Sequence, residues 1–113
     1  MVKKFKSFLH KQTNTEPTME PTNKSTGIKS ASALINTGKT ILAGAHVITN
    51  GTNAVTLIIY DALSATGTAV FKQVVTGTDN AIPYTLPIGG IRCDTGMYAS
   101  VSGTGAEYIL FYR

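Results

Sequence analysis

The chain has 113 residues, enough for one domain with a modest core. Charged residues make up 14% of it, well below the roughly one quarter usual in soluble proteins, and small and β-branched residues fill the gap. One cysteine, Cys93, excludes an internal disulfide, and no apolar run approaches the roughly 18 residues of a membrane-spanning helix.

The net charge of +4 is concentrated at the N-terminus. Residues 1–24 hold Lys3, Lys4, Lys6, Lys11 and Lys24 against Glu16 and Glu20, while the remaining 89 residues are close to neutral. A basic tail of this kind meets nucleic acid, an anionic membrane or an acidic protein surface, and charge alone does not choose among them. The opening "MVKKFKSFLHKQ" has lysines but no continuous apolar stretch behind them, so it does not read as a secretory signal.

Residues 1–26 form a basic, proline-containing arm. Val2, Phe5, Phe8 and Leu9 recur at roughly helical spacing with lysines between them, which predicts a short amphipathic helix over 2–11. "QTNTEPTMEPTNKST" follows without periodicity, and Pro17 and Pro21 favour extended chain at Glu16 and Glu20. Such a segment is ordered only against something else, and a partner or a sister subunit is expected to hold it.

From Gly27 to Arg113 the period is two, and the chain reads as one β-domain. Strands are expected near 28–35, 40–49, 55–61 and 68–75, with turns at "NTG", "ALSATG" and "TGTDN". In the second strand, Ala43, Ala45 and Val47 alternate with Leu42, Gly44, His46 and Ile48, which predicts two opposite faces. "IPYTLPI" at 82–88 alternates cleanly, but its prolines restrict it to a sheet edge or an extended crossover. "MYASVS" and "AEYILFYR" around "GTG" predict a terminal hairpin. About seven or eight short strands with no helix among them give an all-β chain, an antiparallel β-sandwich or jelly roll with an extended N-terminal arm.

No candidate chemistry survives inspection. "TGKT" at 37–40 resembles the end of a phosphate-binding loop, but Ala33 stands where that loop needs glycine, and a strand follows it rather than a helix. His10, His46 and Cys93 are not at metal-ligand spacing, and no glycine-flanked nucleophile is present. Asp61, Asp79, Asp94 and Glu107 fall at strand ends and turns, where carboxylates accept backbone hydrogen bonds. Asn23 and Asn50 begin tripeptides of the glycosylation type, which turn composition produces by chance. Tyr98, Tyr108, Phe111 and Tyr112 suggest a stacking face for sugars or bases, or core and interface packing. No catalytic residue, metal or cofactor is expected, and the chain does not read as an enzyme.

"AGAHVITNGTNAVTLIIYDALSATGTAV" and "AIPYTLPIGGIRCDTGMYASVSGTGAEYILFYR" resemble a group of small β-sandwich virion proteins of tailed bacteriophages. The likeness rests on a strand ending in Tyr-Asp, a Ser/Ala-Thr-Gly turn, a Gly-Ile step after a proline-containing strand, and a closing hairpin ending in Tyr. It covers residues 27–113 and leaves out the arm. The resemblance implies a structural virion protein that decorates or cements a capsid; the basic arm and the sandwich edge are the parts expected to bind it. It also implies a homo-oligomer, with a trimer favoured, bound to the major capsid protein or other virion proteins. Assembly in the host cytoplasm goes with it. From the residues themselves, no membrane partner is expected, and nucleic acid is not favoured because stacking aromatics are not interleaved with basic residues in the body. Val2, Phe5, Phe8 and Leu9 are then the expected anchors of the arm, with Lys3, Lys4 and Lys6 against acidic shell surface. The alternatives are a neck, tail or fibre-base component and, in a different class, a carbohydrate-binding module for host attachment.

Overall fold

The computed structural model describes residues 22–78, 81–85 and 89–113. The helix expected over 2–11, and with it all the expected arm anchors, lie outside the described residues. Within them the chain is all β, with nine strands in chain order: β1 Lys24–Ser25, β2 Ala33–Thr37, β3 Thr40–Ile48, β4 Val55–Asp61, β5 Thr68–Val75, β6 Ala81–Thr85, β7 Ile91–Cys93, β8 Gly96–Ser102 and β9 Glu107–Tyr112.

These strands form two antiparallel sheets. The front sheet runs β1-β9-β3-β6, with β7 also paired to β3, and the back sheet runs β2-β8-β4-β5. Residues of β6 pair with Gly44–Ile48, and those of β7 with Thr40–Leu42, so β6 and β7 are two pieces of one broken strand alongside β3. Counted that way, β1 pairs with β9, β2 with β8, β3 with β6/β7, and β4 with β5. The chain is doubled back on itself and rolled into two layers, which is the jelly-roll topology. β6 occupies the sheet margin, the place that Pro83, lacking a backbone donor, predicts.

The core lies between the layers. Val55, Leu57 and Ile59 of β4 meet Leu42, Ala45 and Val47 of β3, with Met97, Ala99, Tyr108 and Leu110 filling the remainder. Tyr108 is fully buried, and its hydroxyl donates to the Ala31 carbonyl at 2.8 Å, so the one polar atom it brings into the core is satisfied.

Three expectations are corrected by this arrangement. Leu42 does not oppose Ala45 and Val47; all three are buried in the core. The register against β9 slips between Leu42 and Gly44, so Ala43 is an extra residue, and the bulge moves the alternation over by one. The terminal hairpin does not form either. β8 belongs to the back sheet and β9 to the front, and residues 103–106 carry the chain between layers. Gly103 makes that crossing with φ +126°, and a Cβ there would lie 2.3 Å from the Ala54 carbonyl oxygen, so only glycine fits. The first expected strand is shorter as well. Residues 26–32 cross from the front sheet to the back, held by a Lys29–Tyr108 bridge and by Ser32 at 2.9 Å from the Val101 amide, and β2 begins only at Ala33.

Candidate interaction surfaces

The N-terminal arm enters the described fold at a fixed point. Lys24 and Ser25 pair with Tyr112 and Phe111, which places the arm's root at the margin of the front sheet. Just upstream, the Asn23 side-chain oxygen accepts a 2.8 Å hydrogen bond from the Arg113 guanidinium, whose other nitrogen donates to the Gly89 carbonyl at 3.2 Å. Arg113 is itself tied to β3: its amide and carbonyl both bond the Ile41 backbone, and the Thr40 hydroxyl donates to the same carbonyl. Arg113 thus ties Asn23, at the root of the arm, to β3 and to Gly89.

The expected aromatic face is dispersed. Tyr108 is in the core, Tyr112 packs inward against it, Phe111 is on the outer face of the front sheet and Tyr98 is on the outer face of the back sheet. The four do not make one stacking platform.

The back sheet instead carries an apolar surface that reading the strands singly misses. Along β4, Val55, Leu57 and Ile59 point inward, which turns Thr56, Ile58 and Tyr60 outward. Register places Leu34 of β2 beside Tyr98 of β8, and Tyr98 beside Tyr60 of β4. In the next rows Ser100, Ile58 and Lys72 are neighbours, then Ser102, Thr56 and Val74. Leu34 is 43% exposed and Val74 59%. Leu63, 50% exposed, extends the patch at one end: a Cβ on Gly96 would lie 2.8 Å from its Cδ2, so it lies over the glycine. An antiparallel sheet with one solvated face normally alternates apolar inside with polar outside. Here the outward positions are apolar or hydroxylic, with Lys72 as the one charge among them. The signal was the unbroken apolar run around Ile58 and Ile59, which an exposed strand does not need.

The titratable groups have structural surroundings. The Asp61 carboxylate accepts the Thr95 amide at 2.8 Å and the Gly96 amide at 3.4 Å. Backbone donors at Asp94 and Thr95, with smaller help from Gly96 and the Arg92 charge, hold its pKa below the ordinary value. Cys93 is fully buried, and loss of solvent, reinforced by the charges of Asp61 and Asp94, pushes its thiol up to about 11. It is therefore a packed thiol rather than a thiolate nucleophile. Arg92 pairs with Asp94 at 3.0 Å on the exposed surface. His46 faces outward from the front sheet beside Ile109, away from Cys93 in the core. "TGKT" is the tight β2–β3 connection, closed by the Gly38 amide on the Thr95 carbonyl at 2.9 Å. Among the described residues no three His, Cys, Asp or Glu side chains come together as a metal site, and no helix is long and apolar enough to cross a membrane.

No protein-family model, curated protein or solved structure matches this chain.

Proposed function

We propose that the chain is a structural protein of a bacteriophage virion, which decorates or cements the capsid through its N-terminal arm and the adjoining sandwich edge. The observation that carries this reading is the Arg113 clamp on Asn23. It fixes the root of a basic arm at the margin of a jelly roll, where tension on the arm passes directly into β3 and β9. A 21-residue segment spans at most about 70 Å when extended, longer than the described strands. On this reading, that reach is enough for contact with neighbouring subunits.

The mechanism is burial of surface across more than one shell subunit, so that the shell opens only after the clamp lets go. Ordering the arm costs roughly 1–2 kcal/mol of backbone entropy per residue. Val2, Phe5, Phe8 and Leu9 offset that cost by burying apolar area, and Lys3, Lys4 and Lys6 add attraction to carboxylates on the shell. The test is binding of the full chain, and of a chain lacking residues 1–21, to capsids stripped of it. Deletion should abolish binding while the β-domain keeps its circular dichroism and thermal transition. Binding of the truncated chain with unchanged affinity would end the arm mechanism.

A further inference from the structure

We propose that the outer face of the back sheet binds the same face of a second copy, giving a two-fold dimer in which back sheet packs on back sheet. This inference does not rest on the virion reading; it comes from the chemistry of the face.

The polar groups of the face select the occupant. Apart from Lys72, its outward polar side chains are hydroxyls: Thr56, Tyr60, Tyr98, Ser100 and Ser102. A hydroxyl both donates and accepts, so a copy of this face can satisfy itself. A partner bearing carboxylates or ammonium groups would have one cation to meet and would otherwise bury its charges unpaired. The matching surface is therefore neutral, apolar and hydroxylic, and this chain supplies one.

Lys72 agrees with that symmetry. It is on β5, at the margin of the back sheet, while Leu34 is on β2 at the other margin. A two-fold axis parallel to the strands, passing between β8 and β4, lays β5 of one copy over β2 of the other. The two ammonium groups then lie on opposite margins, about three strand spacings or ~14 Å apart, beyond a Debye length of about 8 Å at physiological salt. The Tyr60–Tyr98 pair lies on the axis and meets its own copy.

The area predicts the strength. A four-stranded face with seven-residue central strands covers on the order of 20 × 24 Å. Pairing two of them buries on the order of 1,000 Å², below the ~1,200 Å² at which standard specific interfaces begin. The dimer is accordingly reversible and concentration-dependent.

Sedimentation equilibrium of the full chain, from micromolar to submillimolar, tests this. The wild type should move from monomer to dimer across that range. Ile58→Lys and Ser100→Lys, neighbours on the two central strands of the face, should each weaken association by more than about 100-fold, because each buries an unpaired ammonium. Phe111→Lys, on the outer face of the front sheet, should leave association unchanged. A wild type that stays monomeric throughout would overturn the proposal and leave the face to another occupant. So would a dimer that survives both Ile58→Lys and Ser100→Lys, or one that Phe111→Lys dissociates.

Discussion

The side chains of Asn23 and Arg113 meet at 2.8 Å across a sequence separation of 90 residues. That bond ties the root of the arm to the last residue of the chain. With Gly89 and Ile41 held by the same residue, it makes Arg113 part of the arm's anchorage.

Arg113→Ala should remove both guanidinium bonds and keep the backbone pairing with Ile41. For exposed hydrogen bonds the expected cost is about 0.5–1.5 kcal/mol, a fall in Tm of several degrees for a domain of this size. Faster proteolytic cleavage near residue 22 should accompany it. Unchanged Tm and cleavage would mean that the clamp bears nothing.

Leu57 is fully buried at the centre of β4. Leu57→Ala should cost about 2–5 kcal/mol, read as a lower urea midpoint with a similar slope. Val74→Ala, at an exposed position, should fall within about 0.5 kcal/mol of wild type in the monomer. Equal effects from the two would contradict the inward-outward assignment of the back sheet.

Asp61 stabilises the fold when ionised, because its folded pKa lies below the unfolded value of 3.8. That contribution is fully present above the unfolded pKa and is lost as pH falls through the folded one. Asp61→Asn should therefore lower Tm at pH 7, with the difference from wild type shrinking as the pH falls below about 4. A difference independent of pH would assign the effect to packing and not to the charge.

Cys93 should resist a thiol-specific reagent in the native protein and react fully in denaturant, since it is fully buried and its thiol is pushed up to about 11. Rapid labelling of the folded chain would show that β7 opens readily.

Much of the fold was legible where each strand speaks for itself. β4 and β5 occupy the spans that their apolar runs and flanking turns predict. Reading failed where a local signal served a long-range purpose. "SGTGA" looks like a hairpin turn, yet its glycines carry the chain between layers past Ala54. Ala43 looks like one step of an alternation, but it is the bulge that sends Leu42 inward. The broken strand β6/β7 is visible only in its pairing with β3. The outer face of the back sheet was hidden for a related reason: Leu34, Tyr98 and Tyr60 are scattered in sequence, and only register aligns them. The clamp depends on Asn23 and Arg113, two residues with no local pattern to connect them.

The most direct test of the virion reading is quantitative mass spectrometry of purified particles from the source of this sequence, with this chain counted against the major shell protein. A copy number comparable to that of the shell is the predicted result, and it would place the chain on the capsid surface. Absence from the particles would contradict the account.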